Sequence, residues 1–163
     1  MSQSANPEPP RLTRAQFMAM SGLEAMRALS EGRAAPPSMV TTLGFELVEV
    51  ADGVAIFTGR PGEGVLNPLG GVHGGWALSL LDSCTGCAGH TTLPAGSGYT
   101  TLETKGNFVR AITPETGRVR AEGRVISRGR TIITCEGRIS DDKGRLLAHG
   151  TSTLLVMSGA SNS

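Results

Sequence analysis

Asp82 lies in an apolar segment, G-G-W-A-L-S-L-L-D-S-C-T-G-C-A-G, that we predict as a helix over residues 74 to 89. One face carries apolar residues at helical spacing and should pack against a sheet: Trp76, Ala77, Leu80, Leu81, Cys84, Cys87 and Ala88. The opposite face is small and polar: Gly75, Ser79, Asp82, Ser83 and Gly86. A carboxylate there could act as a general base or a nucleophile. Composition alone supports a plain surface aspartate equally well.

The start of the same helix is a second candidate for chemistry. His73-Gly74-Gly75 supplies free backbone N–H groups at the positive end of the helix dipole. Such groups can stabilise a developing oxyanion, and the two glycines let a substrate approach the backbone closely. H-G-G is also common as a simple turn into a helix.

The spacing of these two candidates has a consequence for assembly. Asp82 lies eight residues after Gly74, which is about 12 Å along a helix axis. Its side chain cannot reach a group bound at its own helix N-terminus. If both residues act on one substrate, two antiparallel helices related by a two-fold axis must supply them, which predicts a homodimer.

The three cysteines, Cys84, Cys87 and Cys135, are too few for a disulfide framework. The C-x-x-C pair has no second pair and no histidine at zinc-finger spacing, so we predict no metal site. It falls late in a helical stretch, where a redox pair would need the helix start. Packing is therefore the favoured role of the cysteines.

Composition narrows the possible functions further. The 163 residues suit one domain, and a net charge of +1 argues against a nucleic-acid-binding protein. No apolar run approaches the ~20 residues of a membrane span, and the polar first ten residues contain no apolar signal core. We therefore expect a cytoplasmic protein without a membrane partner or a bound cofactor.

The elements that must position these residues follow from periodicity. A capping box at Thr13 to Gln16 opens a helix predicted over about 13 to 31, and strand-like sequence runs from Val40 to Gly59 with a hairpin at Asp52-Gly53. After the central helix we predict four strands: Tyr99 to Val109, Gly117 to Ser127, Thr131 to Ser140 and Leu146 to Val156. Consecutive hairpins with one long helix indicate an α+β fold with an antiparallel sheet.

The run L-N-P-L-G-G-V-H-G-G-W-A-L-S-L-L-D-S resembles the PaaI-like branch of the hotdog-fold acyl-CoA thioesterases. The spacing from Asn67 through His73-Gly74-Gly75 to Asp82 matches, as do Thr101-Leu102-Glu103, Gly129-Arg130 and the turn from Asp141 to Gly144. The resemblance implies a sheet wrapped around one long helix, with an extra N-terminal helix. We assign residues 1–10 and 158–163 as disordered tails, 11–38 as the helix and linker, and 39–157 as the hotdog domain.

The resemblance also implies roles. Asp82 would be the nucleophile or the base that orients water, and the Gly74 N–H would polarise the thioester carbonyl across a dimer interface. Asn67 and His73 would place water and thioester, and Thr101 would support the water. The segment Lys105-Gly106-Asn107-Phe108 is more polar than is usual in this family.

CoA carries phosphates, so basic residues should lie at the mouth of its channel. Arg110, Arg128 and Arg130, with Gly75 and Gly129, are the candidates for binding substrate and CoA. Each of these arginines could equally be an ordinary exposed cation.

Two other functions fit parts of the pattern. One is a non-catalytic acyl-CoA-binding hotdog module, which would need no carboxylate beside the thioester. The other is a hotdog hydratase, which would need both a His and an Asp on the helix, whereas His73 precedes it. The acyl group and the choice between a dimer and a tetramer stay open at this point.

Overall fold

In a computed structural model, which describes residues 11–158, a six-stranded antiparallel sheet wraps around one long helix. This confirms the predicted α+β hotdog architecture. The helices are α1 (Arg14–Met18), α2 (Gly22–Ser30), α3 (Ser38–Leu43) and α4 (Gly74–Thr91). The strands are β1 (Phe45–Ala51), β2 (Val54–Gly59), β3 (Ser97–Phe108), β4 (Val119–Arg128), β5 (Ile132–Asp141) and β6 (Leu146–Ser158). Within the described part of the chain, no helix is long and apolar enough to cross a membrane.

The strand order is β1-β2-β4-β5-β6-β3, so β1 and β3 form the two edges of the sheet. β3 follows α4 directly and pairs with β6 over its whole length. No strand among residues 11–158 pairs with its outer edge, and Leu102 and Phe108 on it are each 57% exposed. A long edge strand of this kind is a surface on which another strand can add.

The concave face of the sheet and the apolar face of α4 form the main core. Leu80, Leu81 and Cys84 on the helix are fully buried, as the helical spacing predicts. Trp76 closes one end of this core: its ring lies edge-on to Phe45 at 5.3 Å, and its indole N–H donates to the Leu43 carbonyl at 2.9 Å. α4 extends two residues beyond its predicted end, to Thr91.

Two glycines allow α4 to lie unusually close to the sheet. A Cβ atom added at Gly123 on β4 would lie 2.1 Å from the backbone oxygen of Cys84. A Cβ added at Gly137 on β5 would lie 3.0 Å from the Thr85 methyl and 3.1 Å from Leu81. The backbone of α4 therefore packs directly on β4 at Gly123, and α4 side chains pack on the bare backbone of β5 at Gly137. These contacts fix the height of Asp82 above the sheet.

The N-terminal region differs from the prediction of one helix over residues 13 to 31. The predicted capping box at Thr13 and Gln16 is present, but α1 ends at Met18. Ser21 begins a second helix, because its hydroxyl accepts from the Glu24 N–H while the Glu24 carboxylate accepts from the Ser21 N–H. This second capping box makes two helices more favourable than one.

The sequence after the linker also differs from the prediction. Residues 40 to 43 were expected to begin a strand, but they belong to α3, which Gly44 ends in a left-handed conformation with φ of 70°. The β-branched residues Val40, Thr41 and Thr42 favour strands intrinsically. Tertiary packing overrides that preference, because Val40 and Leu43 pack against the main core.

We expect Gly123→Ala to reduce the free energy of unfolding by about 1–3 kcal/mol or more, the cost of overpacking a dense core. The new methyl group would overlap the Cys84 carbonyl, so α4 would have to move. Chemical denaturation measures this loss. The matched control is Gly62→Ala, at a position with open space around it and φ of −98°. Equal stability of both variants would contradict the close packing of α4.

Candidate active site

Asp82 lies half-buried on α4, where a hydroxyl from the edge strand holds its carboxylate. Thr104 on β3 donates a hydrogen bond of 2.7 Å to Asp82 Oδ1. The Thr104 hydroxyl also lies 3.0 Å from the Ser152 hydroxyl, which in turn lies 2.7 Å from that of Thr85. Ser152 and Thr85 are almost completely buried. The carboxylate is therefore the end of a chain of three hydroxyl groups that passes under the helix.

Counting protons fixes the direction of the bond at the Asp82 end of this chain. Each hydroxyl has one proton to donate, and Thr104 gives its proton to the carboxylate. The Thr85 hydroxyl donates to the Leu81 carbonyl of its own helix at 2.8 Å. Ser152 lies between the two threonines and can donate its one proton to either of them. The chain fixes the orientation of Oδ1, while Oδ2 accepts no hydrogen bond from residues 11–158.

A β-bulge places Thr104 beside Asp82. The β3–β6 register shifts between Thr101 and Glu103, so that Thr101 lies opposite Leu154 and Thr104 opposite Ser152. Leu154 and Ser152 are both fully buried, on the inward face of β6. Simple alternation would put residues 101 and 104 on opposite faces, but the bulge turns both inward.

Thr101 was predicted to support the attacking water, and it does lie on the inward face. The hydroxyl that reaches Asp82, however, belongs to Thr104. Sequence analysis missed Thr104 because no residue type marks the bulge. The role of Thr101 stays a prediction.

The start of α4 presents one free backbone donor. His73 is the N-cap residue, and its Nδ1 accepts from the Gly75 N–H at 2.9 Å. The His73 carbonyl accepts from the Trp76 N–H at 2.9 Å. Gly74 lies at the first helical position, and within residues 11–158 its N–H has no acceptor. The site therefore offers the N–H of Gly74 to a ligand. The N–H of Gly75, which was also predicted to bind substrate, already donates to His73 Nδ1.

His73 adds a second donor at this point. Because Nδ1 accepts a hydrogen bond, the imidazole proton resides on Nε2 in this arrangement. The ring is exposed, so Nε2–H can reach a ligand beside Gly74. The Phe108 ring covers the other side of Gly74, since an added Cβ there would lie 3.3 Å from it.

Asn67 shapes the loop that leads into α4. Its Oδ1 accepts from the backbone N–H groups of Leu69 and Gly71, at 2.9 and 3.2 Å. The Asn67 N–H donates to the Gly71 carbonyl at 2.7 Å, which closes the loop. Among the described residues nothing accepts from its side-chain Nδ2, so that group is available to a ligand.

A cavity of about 430 Å³ opens beside Asp82. Asp82, Ser83 and Cys87 line it from α4, and Phe45, Leu47 and Phe57 line it from β1 and β2. The N-terminal helices and their linker close the remaining side. A ligand in this cavity would meet the Asp82 carboxylate on the α4 side and largely apolar walls, with the charged side chains of Arg11 and Glu46 exposed at the surface.

Gly86, on the same face of α4, is buried by Tyr99 of its own chain. An added Cβ at Gly86 would lie 2.4 Å from the Tyr99 hydroxyl. The polar face was predicted to lie near a second subunit as far as Gly86. At this end of the face, β3 of the same chain makes the close approach, while Gly75 at the other end is exposed.

The three cysteines are free thiols. Burial raises the pKa of Cys87 to about 12 and that of Cys135 to about 11, and it raises the pKa of Cys84 as well. The thiols therefore stay protonated near neutral pH, as expected for packing residues. Of the cavity-lining residues on α4, Asp82 is therefore the candidate base.

The basic residues predicted to bind CoA lie at two ends of the sheet. Arg128, Gly129 and Arg130 form the exposed β4–β5 turn, where the Arg128 guanidinium donates to the Gly129 carbonyl. Arg110 lies beyond the other end of β3, beside the start of α4. The two ends are separated along β6 by the seven steps from Ala148 to Leu155, which is roughly 23 Å. One protomer therefore does not bring Arg110 together with the Arg128–Arg130 turn.

Comparisons with known proteins place this geometry in a family. The model of the thioesterase superfamily matches residues 69–148, which include both Gly74 and Asp82. A protein of Deinococcus radiodurans that carries a provisional esterase name is 30% identical over 129 residues, which are 78% of this chain and 79% of that protein.

Solved structures agree. A phenylacetic acid degradation-related protein of Ralstonia eutropha has a TM-score of 0.73 and 30% identity, covering 80% of this chain and 98% of its own. A protein of Streptococcus mutans, solved with acetyl-CoA bound, has a TM-score of 0.65 and 25% identity, covering 71% of this chain and 90% of its own. The predicted resemblance to the PaaI-like thioesterases is confirmed.

If Thr104 positions Asp82, Thr104→Val should lower kcat/KM for a thioester roughly ten- to a hundredfold. This corresponds to the ~1.5–3 kcal/mol of a hydrogen bond to a charged group. The control is Thr104→Ser, which retains the hydroxyl and should recover most of the activity. Equal losses in both variants would show that Thr104 matters only for packing. Steady-state kinetics with release of a free thiol provides the measurement.

Proposed function

The chain belongs to the thioesterase superfamily, and we propose that it hydrolyses an acyl-CoA thioester to the free acid and CoA. The observation that carries the proposal is the oriented carboxylate of Asp82, which has one oxygen held by Thr104 and lies at the wall of an apolar cavity. Acetyl-CoA in the Streptococcus mutans relative supports a CoA ester as the substrate.

The reaction needs little more than these groups. In one route Asp82 takes a proton from water, and the water oxygen adds to the thioester carbonyl. The tetrahedral intermediate then expels the CoA thiolate, which takes up a proton. In the other route the carboxylate itself attacks the carbonyl carbon and the CoA thiolate is expelled and protonated. Water then cleaves the mixed anhydride to the free acid and restores the Asp82 carboxylate. Thiolate is a good leaving group, so neither route needs a strong acid.

The developing oxyanion requires a donor, and the Gly74 N–H suits this role. No described residue accepts from it, and it lies at the N-terminus of an 18-residue helix, where the helix dipole favours negative charge. His73 Nε2–H and Asn67 Nδ2 are close in sequence to Gly74 and would position the thioester and the water.

Asp82 and Gly74 of one chain are eight residues apart on α4, which is about 12 Å. We infer that a site contains Asp82 from one subunit and Gly74 from its partner. The unpaired edge of β3 favours this assembly, because Thr104 beside Asp82 and Phe108 beside Gly74 both belong to that strand. Pairing two such edges about a two-fold axis would bring both halves of the site together.

In such a dimer, arginines from both subunits would be available to the phosphates of CoA. Arg128 and Arg130 lie at the end of the sheet nearer the C-terminus of α4, and Arg110 lies at the end nearer Gly74. Antiparallel helices would bring the Arg110 end of one subunit toward the Arg128–Arg130 end of the other. We propose these residues as the phosphate-binding set.

We expect Asp82→Asn to lower kcat by about 10² or more, since the amide is neither a base nor a nucleophile. The substitution is nearly isosteric and should leave the free energy of unfolding close to that of the parent chain. Thiol release from a panel of acyl-CoA esters measures the effect, with Asp142→Asn in the exposed β5–β6 turn as the control. Undiminished turnover in the Asp82 variant would remove the residue from the mechanism. Saturable binding of the panel without thiol release would favour a binding module instead.

Subunit mixing tests the composition of the site. Asp82→Ala and Asn67→Ala should each be nearly inactive, yet an exchanged mixture should recover activity, because one of its two hybrid sites contains both native residues. At full exchange half of the dimers are hybrids, so we expect about a quarter of the parent activity. Recovery must follow subunit exchange, measured by mass spectrometry of the intact assembly. A fully active monomer would rule out the shared site.

A further inference from the structure

We propose that the N-terminal cap, residues 11–43, forms one wall of the acyl pocket and that this pocket takes an extended, apolar acyl chain. The inference rests on the proposed thioesterase function and adds the substrate class and the residues that select it.

The cap is an integral part of the fold. The Gly22 N–H donates to the Leu93 carbonyl at 2.9 Å, and a Cβ added at Gly22 would overlap the backbone of His90. Ala25 and Ala28 on α2 are buried, and so is Ala34 in the linker that follows. α2 is therefore anchored against the C-terminal end of α4 and stands beside the cavity that opens at Asp82.

A second cavity, of about 460 Å³, adjoins the first. Both cavities are lined by five of the same residues: Leu29, Ala34, Pro37, Cys87 and Tyr99. The second cavity extends to Phe17 and Met26 in the cap and to His90 on α4. The shared residues form a junction, with Leu29 on the cap side and Cys87 on the α4 side.

The two cavities follow one another along α4. Asp82 lines the first, Cys87 lines the junction, and His90 lines the second. From Asp82 to His90 the helix rises by eight residues, which is about 12 Å. A single aromatic ring beside the thioester would lie within the first cavity, whereas an extended chain could reach past the junction. The length of the path thus favours an extended chain over a compact aryl group.

The chemistry of the walls points to an uncharged chain. The other charged residues that line the cavities are Arg11, Arg14 and Glu46, all exposed at the surface. In the interior, burial lowers the pKa of His90 and raises that of Tyr99, so both side chains are neutral near pH 7. A carboxylate at the far end of the acyl group would find no cation there among the described residues.

Leu29→Trp tests the junction. Each methylene moved from water into an apolar site should strengthen binding roughly fourfold, so kcat/KM of the parent should rise from butanoyl- to decanoyl-CoA. With the junction narrowed, kcat/KM for decanoyl-CoA should fall tenfold or more, while that for butanoyl-CoA stays within about twofold. The control is Leu23→Trp, a half-buried position on the same helix that lines neither cavity. Leu29→Ala, which widens the junction, should retain the preference for longer chains.

The outcomes separate this inference from the proposed function. If the parent hydrolyses acyl-CoA esters but prefers phenylacetyl- or butanoyl-CoA to decanoyl-CoA, the extended-chain pocket is wrong. Equal losses on all chain lengths in Leu29→Trp would also overturn it. If no ester is hydrolysed, the proposed function fails, and calorimetry with unreactive S-alkyl-CoA thioethers decides about the pocket. Binding of the decyl thioether at least tenfold tighter than the butyl thioether, lost in Leu29→Trp, would support it; equal affinities would overturn it.

Discussion

The close contact between α4 and the sheet at Gly123 and Gly137 is the constraint on which the rest of the structure depends. A helix held further away by side chains would lift Asp82 out of reach of Thr104, whose hydrogen bond is 2.7 Å long. The same contact buries the hydroxyls of Thr85 and Ser152 between helix and strands, where each must find a partner. The close packing of α4 on the sheet therefore also determines the position of the Asp82 carboxylate.

The line of hydroxyls under α4 is unfavourable in a protein interior unless each group is hydrogen-bonded. Alanine or valine at positions 85 and 152 would fill similar space without polar groups that need partners. Here the Thr85 hydroxyl donates to the Leu81 carbonyl, Ser152 lies within hydrogen-bond distance of both threonines, and the line ends on the carboxylate of Asp82. Such a network holds its last member in one orientation, which an apolar core cannot do. The network therefore orients the Asp82 carboxylate within the site.

Sequence reasoning reached the parts of the site that depend on local periodicity. The two faces of α4, the helix start at His73 and Gly74 and the position of Asp82 all follow from residues within one helix. Thr104 did not follow, because a bulge with no sequence signature reverses the face on which it lies. The division of the N-terminal helix was missed although Ser21 and Glu24 carry a capping signature. The cavity wall that those helices build depends on tertiary packing, which no local pattern encodes.

The cap contributes no strand to the sheet, and this has an evolutionary consequence. The family model begins at residue 69, beyond all three helices of the cap. Mutations of the cavity-lining residues in α2 or in the linker after it can alter the space beside Asp82. The hydrogen bonds between the strands and the contacts of α4 with Gly123 and Gly137 would remain. Selection can therefore change the cap residues that line the cavity without changing the strands of the sheet. Proteins that share the catalytic framework can thus diverge in substrate range through a short segment outside the sheet.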